Sequence, residues 1–436
     1  MKSASKDWRE WRIDADSYLI RSLSVDIIRK VEDGRLLDET IDRSFSRLDV
    51  REPLKALLYE ITAGVLRRKG YLDWVLSHYV RRSLKQDVRY ILWTALYQAF
   101  FMRKGVHHVV NETVEYVKKE KGAAVANFVN AVLRKAAREG RALALPEDPL
   151  SRLSVAYSFP EWLVRRWVKQ LGEQGTKALL TTMNKAPEFS LRVDERRIAL
   201  DAAVRKIEGV GLVCRPGSLL PSAITVDRIG PLLNHELFRS RLVHVQDEAS
   251  QLVGHAVAAE PGQLVLDACA GIGTKTEQML ELFPDTRLIA MDLRTGALTQ
   301  DRPRLGIIRG DALYPPFKER LFDAILLDAP CSSLGIIRKH PEIKWRRKEE
   351  EIARYGKYQR ALLNAVWPCL KQKGYCIYSV CSFEPEETLD VLRNFAADKQ
   401  FILENPLPFL FNKEYFLSLP HETGVDGFFI ARLRKA

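Results

Sequence analysis

The chain is predicted to be multidomain, with an all-α first part, a small α+β middle and a doubly wound α/β final part. Three observations predict it. Residues 1–140 carry apolar positions at three- and four-residue spacing. A stretch with two prolines and weak periodicity, "GRALALPEDPLSRLS" (140–154), breaks that pattern. From about residue 240, short apolar runs ending in acids or small polar groups alternate with helical stretches. These mark domains at 1–140, 141–230 and 231–436.

The helical part comes first. "SYLIRSLSVDIIRKVEDG" (17–34), "EPLKALLYEITAGVLRRKGYLDWVLSHYV" (52–80), "DVRYILWTALYQAFFM" (87–102) and "VVNETVEYVKKEKGAAVANFVNAVLRKAARE" (109–139) each read as helix, with Gly105 and Gly122 near helix ends. Arg67, Arg68, Lys69, Arg81, Arg82 and Lys85 stud the polar faces. A single cluster of this kind is a solvated helix face; several in one helical part favour a surface that binds a phosphate backbone. Beyond the linker, "PEWLVRRWVKQLGEQGTKALLTTMN" (160–184) reads as two helices broken at Gly172. "EFSLRVDERR" (188–197) and "GLVCRPGSLLPSAITV" (211–226) read as short strands around a helix, in a unit ending near residue 230.

In the last part, "QLVLDA", "RLIAMD", "GIIRGD", "FDAILLDAP" and "GYCIYSVCS" are the strands of a parallel sheet. Ligands of such sheets bind at the carboxyl ends of the strands. Asp267, Asp292, Asp311, Asp328 and Cys381 are therefore expected along one crevice.

The totals narrow the class. The chain has 436 residues and a formal net charge of +12, an excess that suits a polyanionic partner such as nucleic acid. No apolar run is long enough to cross a membrane, and the polar start lacks the apolar core of a signal peptide, so a cytoplasmic protein is expected. Six cysteines show no spacing for zinc, and no metal or disulfide framework is expected. Self-contained domains and a basic surface suit a monomer.

"VLDACAGIGTKTEQML" (265–280) is a strand, a glycine-containing turn and a helix, in which Gly271 and Gly273 let backbone approach a ligand closely. Asp267 suits a cap of that helix. Asp292 suits a ribose diol, and Asp311 an adenine amino group. The turn lacks GxGxxG, and three acids at consecutive strand ends would repel a pyrophosphate. An adenosine ligand without one is favoured.

Two thiols, Cys331 in "DAPC" and Cys381 in "SVCS", stand with Asp328 at neighbouring strand ends. Cytosine carbon 5 becomes nucleophilic when a thiolate adds to carbon 6, and that chemistry needs a thiol, a carboxyl group and help in expelling the thiol. Amino methylation typically uses an Asp/Asn-Pro-Pro-aromatic turn without a thiol; here the turn reads Asp328-Ala329-Pro330-Cys331 and ends in a thiol. Cys214, Cys369 and Cys376 read as inert core residues.

"DAPCSSLGIIRKHPEIKW" followed by "YSVCSFEPEE" resembles the RNA cytosine-5 methyltransferase family, and more narrowly its bacterial 16S ribosomal RNA type with a NusB-like helical domain. "ETVEYVKKEKGAAVANFVNAVLRK", "LRVDERR", "VQDEASQLV" and "GVDGFFIARLRK" resemble further stretches of that type, so the likeness spans nearly the whole chain. The resemblance implies a NusB-like all-α domain, a small α+β domain, and a Rossmann-like class I methyltransferase domain. It implies S-adenosyl-L-methionine as cofactor and small-subunit ribosomal RNA as partner. By the same resemblance Cys381 is the nucleophile, Cys331 assists product release, and Asp328 holds the base while lying beside the cofactor. Cys269, Ala270, Gly271, Ile272, Gly273, Thr274 and Lys275 wrap the methionine part, Asp292 binds ribose and Asp311 adenine; Lys275 either pairs with an acid of the site or lies at the surface.

The chain departs from the family pattern in places. The cofactor loop reads CAGIGTKT rather than CAAPGGKT, Val380 precedes the nucleophile where threonine is usual, and Asp194 replaces an asparagine. The segment between Asp292 and Asp311 is also short, with room for two helical turns at most. A DNA cytosine-5 methyltransferase is disfavoured, since its Glu-Asn-Val motif is missing. The alternative function is an RNA-binding or ribosome-assembly protein with weak or lost catalysis.

Overall fold

The structure, a computed structural model, describes residues 8–45, 52–81, 83–102, 104–295 and 303–436. Arg82 and part of the short segment after Asp292 lie outside the described residues. The chain forms two units. One runs to Asn184 and also holds His340–Arg346; the other takes Lys185–Lys339 and Arg347–Ala436.

The first unit is helical: α1 (Trp8–Glu32), α2 (Leu37–Phe45), α3 (Glu52–Ser77), α4 (Gln86–Phe101), α5 (Val106–Lys121), α6 (Ala123–Glu139), α7 (Pro149–Tyr157) and α8 (Glu161–Met183). Helix α4 is apolar on nearly every side and is buried from Tyr90 through Phe100, which makes it the central helix. The amphipathic α5 buries Val109, Val110, Thr113, Tyr116 and Val117, one stripe at helical spacing. The expected linker is shorter than its composition suggests. Asp148 caps α7 by accepting from the Ser151 N–H at 2.8 Å, and Pro149 opens the helix where its missing N–H costs nothing. Helix α8 breaks at Gly172 (φ 69°), as its sequence predicts.

His340–Arg346 belongs to this unit through buried polar contacts. Lys344 is fully buried, donates to the Arg67 carbonyl at 2.9 Å, and sits 3.8 Å from the centre of the Phe159 ring. The Trp345 indole donates to the Leu66 carbonyl at 2.6 Å, and Glu342 accepts from the Leu37 N–H at 3.2 Å.

The second unit holds two sheets. The smaller is antiparallel, with β1 (Phe189–Val193), β2 (Arg215–Pro216), β3 (Ile224–Val226) and β4 (Val243–Val245) in the order β2-β3-β1-β4. It therefore reaches beyond residue 230: β4 is three residues long, too short for a periodic signal, and exists through its pairing with β1. Arg192 of β1 forms a buried double contact with Glu281 at 2.9 Å, tying this sheet to the helix Thr274–Leu282.

The larger sheet comprises β5 (Leu264–Asp267), β6 (Arg287–Asp292), β7 (Leu305–Arg309), β8 (Phe322–Asp328), β9 (Leu370–Val380), β10 (Phe401–Glu404), β11 (Tyr415–Leu417) and β12 (Phe429–Lys435). Strands β5 to β9 pair in parallel in the order β9-β8-β5-β6-β7. Strand β12 runs antiparallel against β9, so the sheet is mixed where the sequence predicted a parallel one. Alternate residues face opposite layers: Leu266, Ile325 and Leu327 pack with Leu362, Leu363 and Phe395, while Val265, Ala324 and Leu326 pack with Leu252, Ala256 and Met279. Both faces are covered, as in a doubly wound fold.

Candidate active site

Register brings the predicted residues to one edge. Asp267 of β5 is level with Leu326 of β8, two residues before Asp328. Asp328 is level with Ser379 of β9, two residues before Cys381. Leaving the sheet there, the chain presents acids and thiols at the carboxyl ends of adjacent strands.

The turn after β5 is built on two left-handed glycines, Gly271 (φ 57°) and Gly273 (φ 91°). A Cβ on Gly271 would meet nothing within 4 Å, so the turn is open on that side. Asp292 of β6 accepts from the Gly271 N–H and the Arg294 N–H, both at 2.9 Å, and so fixes the turn to its own strand end. Asp311 accepts from the Leu313 N–H at 2.9 Å. Ile272 is 75% exposed, so the residue replacing the family's proline occupies no interior space. Thr274 starts the helix, and its carbonyl accepts from Arg192. Cys269 follows β5 among Asp267, Asp328, Asp292 and Asp311; burial first, then these four carboxylates, push its thiol well up. These acids thus all act on Cys269 from the ends of successive strands. Open glycine backbone with carboxylates at successive strand ends suits an adenosine and an amino-acid group, and Lys275 lies in the first turn of the helix that follows.

Asp267 does not cap that helix through an N–H. It is buried, and accepts from the Thr276 hydroxyl at 2.7 Å. Burial, outweighing that hydroxyl, pushes its carboxyl up to about 7.

In the other half of the crevice, Lys275 pairs with Asp328 at 2.5 Å, and Asp328 also accepts from the Ser379 hydroxyl at 2.7 Å. Burial works against the Lys275 charge, but Asp328 more than offsets it and holds the ammonium above its ordinary range. Of the two places open to Lys275, the structure gives it the acid of the site. The sulfurs of Cys331 and Cys381 lie 3.1 Å apart, and the Ser333 hydroxyl lies 3.5 Å from that of Cys381. The thiols are pushed in opposite directions. The hydrogen bond from Cys331 lowers Cys381, against burial and with help from Ser333 and Lys275; the same bond, joined by burial, raises Cys331 well above the thiol range. Of the two thiols, Cys381 is the one pushed toward the thiolate form.

One group that sequence reasoning missed joins the two thiol loops. Buried Glu387 accepts from the Ser332 N–H at 2.7 Å and its hydroxyl, from the Ser382 hydroxyl at 2.6 Å, and from Gln359 at 3.2 Å. Ser332 follows Cys331 and Ser382 follows Cys381, so one carboxyl fixes both turns. Tyr358, half-buried near Asp311 and Cys269, was also missed.

This arrangement can be set beside known proteins. The family model described as "16S rRNA methyltransferase RsmB/F" matches residues 255–434, the NusB family 19–138, and an RsmF/B-like ferredoxin-like domain 159–232. "Ribosomal RNA small subunit methyltransferase B" of Escherichia fergusonii is 32% identical over 95% of this chain and 98% of its own length. The chain belongs to the RsmB/F methyltransferase family. The Shigella boydii protein of the same name is 31% identical over the same shares. The crystal structure of PH0851 superposes with a TM-score of 0.82 over 96% of this chain and 99% of that one, at 25% identity. NSun6 from Pyrococcus horikoshii with SFG shares the fold over 64% of this chain, at a TM-score of 0.54 and 17% identity. As an RsmB/F-family protein, the chain is an S-adenosyl-L-methionine-dependent methyltransferase with NusB-type, ferredoxin-like and Rossmann-like parts.

Proposed function

We propose that the protein methylates carbon 5 of a cytosine in 16S ribosomal RNA through a covalent bond between Cys381 and cytosine C6. The observation that carries this reading is the pair of sulfurs 3.1 Å apart with opposed proton preferences, beside Lys275–Asp328. Cys381, held toward thiolate, adds to C6; the displaced electron pair moves onto the ring, N3 takes up a proton, and C5 becomes enamine-like. Asp328 holds the base at its N3 edge. S-adenosyl-L-methionine supplies an electrophilic methyl group when bound. The C5 proton then leaves to solvent, N3 gives back its proton, and the electron pair returning to the C5–C6 bond expels Cys381 from C6, with Cys331 assisting that departure.

Cys269 through Lys275 hold the methionine part of the cofactor, Asp292 the ribose and Asp311 the adenine. Residues 1–140 and 141–230 hold the RNA, largely through phosphates, and 231–436 receive the unstacked base. The net charge of +12 and the small-subunit name of the relatives support the RNA assignment.

The test is to incubate the protein with unmodified 16S rRNA and methyl-labelled S-adenosyl-L-methionine, then digest to nucleosides. Label is expected in 5-methylcytidine. Label in N4-methylcytidine overturns the thiol mechanism, and absence of label leaves the assembly-protein alternative.

A further inference from the structure

The helical unit contains a cleft that the methyl-transfer chemistry does not use. It has a volume of about 330 Å³ and is lined by Arg68 and Tyr71 of α3, Phe100 and Phe101 at the end of α4, Arg141, and Ala156 of α7. Arg68 and Tyr71 are three residues apart on one helix and so share a face. Arg141 is placed by the turn after α6. Gly140 there is buried, and a Cβ on it would come within 3.0 Å of the Phe100 ring. The missing side chain lets the turn lie closely against Phe100. Arg141 then reaches the end of α4, where it donates to the Phe100 carbonyl and, at 3.3 Å, to that of Ala99.

The cleft combines cation and π-surface. The guanidinium of Arg68 lies 5.1 Å from the centre of the Phe101 ring, and that of Arg141 lies 5.4 Å from Phe100. Phe101 is stacked on Tyr97 and is still 40% exposed. Among the described residues no carboxylate pairs with either arginine, and none lines the cleft. Burial and neighbouring Arg67 both work against the Arg68 charge. Such a charge is stabilised by an incoming anion. The planar guanidinium has donors to spare and offers a stacking face as well.

We infer that this cleft binds one unpaired nucleotide of RNA, its phosphate on Arg68 and Arg141 and its base against the Arg68–Phe101–Tyr71 surface. A flat base and an adjacent phosphate match this juxtaposition of rings and unpaired cations, whereas a duplex would keep its bases stacked inside. The inference rests on the RNA reading above and gives the helical unit a specific contact, beyond general charge.

The test uses the full chain with fluorescein-labelled octauridylate, a hairpin duplex of matched charge, and an octauridylate carrying 5-iodouridine for photo-crosslinking. Phe101→Ala and Arg68→Gln should each weaken single-strand binding about tenfold, with little change for the duplex. Arg68→Gln should also lower the slope of log affinity against log salt by about 0.7. Crosslinks should fall on Tyr71 or Phe101 in the unaltered protein, a readout that survives a poorly folding variant. Crosslinks confined elsewhere, or folded variants that bind like the parent, overturn the inference; so does a phosphopeptide that displaces no RNA yet loses binding in both variants. If 16S rRNA is still methylated in those cases, only the cleft assignment fails. If the parent neither crosslinks to nor methylates RNA, the proposed function fails with it.

Discussion

Replacing Glu387 with alanine should damage both thiol turns at once. Four donors lose their acceptor: the Ser332 N–H and hydroxyl, the Ser382 hydroxyl, and one N–H of Gln359. The hydroxyls can turn toward one another, since their oxygens lie 3.4 Å apart. The two N–H groups stay buried and unpaired, at about 1–3 kcal/mol each. Against this, burial holds the Glu387 carboxyl above its ordinary range, so its removal relieves some desolvation. The balance is about 3 kcal/mol, or about 6–12 °C for a unit of this size. Calorimetric melting reads that loss. The functional readout is the pH profile of iodoacetamide alkylation at Cys381, whose midpoint should rise as Cys331 drifts from hydrogen-bonding distance. Methyl transfer should fall about 100-fold, as for a misplacement near 1 Å. Glu387→Gln keeps one acceptor oxygen and should retain most of both properties. An alanine variant that melts within a degree of the parent and alkylates with the same profile would refute the clamp.

Three further substitutions, with one tolerated control, probe the crevice and its surroundings. Lys275→Met leaves Asp328 without its partner at a site that is one-quarter exposed, costing about 2–3 kcal/mol after screening. It should also slow alkylation of Cys381 near neutral pH, because Lys275 favours that thiolate; an unchanged rate would contradict the assignment. Gly335→Ala places a Cβ 1.9 Å from the Gly427 carbonyl oxygen and 2.9 Å from that of Cys381. Backbone cannot yield cheaply, so a loss of about 3 kcal/mol or more is expected in melting, with loss of methyl transfer. Gly306→Ala, whose Cβ meets nothing nearer than 3.6 Å, is the tolerated control. Asp267 titrates near 7 when folded against 3.8 unfolded, so its stabilising contribution is complete below about pH 4 and is lost as pH rises through 7. Asp267→Asn should remove that loss; melts should show the parent losing about 3 kcal/mol more than the variant between pH 5 and 8.

Much of the architecture could be read from the residues because its signals are local. Helical stripes, glycine breaks at Gly122 and Gly172, and apolar runs ending in acids each reflect a short-range rule. The convergence of Asp267, Asp292, Asp311, Asp328 and Cys381 followed from one topological regularity of parallel sheets. What escaped is long-range. Nothing in "KHPEIKW" says that Lys344 is buried in the helical unit, because its contacts with Arg67 and Phe159 lie far away in sequence. Nothing in "FEPEE" says that Glu387 is fully buried, because the serine turns it joins meet only in the folded sheet. The opposed proton preferences of the two thiols depend on a distance between sulfurs, which strand spacing in sequence cannot supply.

The central claim is that Cys381 bonds to cytosine C6 while Cys331 serves the later release. It is tested most directly by incubating the protein and S-adenosyl-L-methionine with 16S rRNA transcribed with 5-fluorocytidine, whose C5 substituent cannot leave as a proton. Peptide mass spectrometry after RNA digestion should find a methylated fluorocytidine on the peptide carrying Cys381, absent in Cys381→Ala and present in Cys331→Ala. An adduct on Cys331 instead, or none in a protein that still forms 5-methylcytidine, would contradict the account.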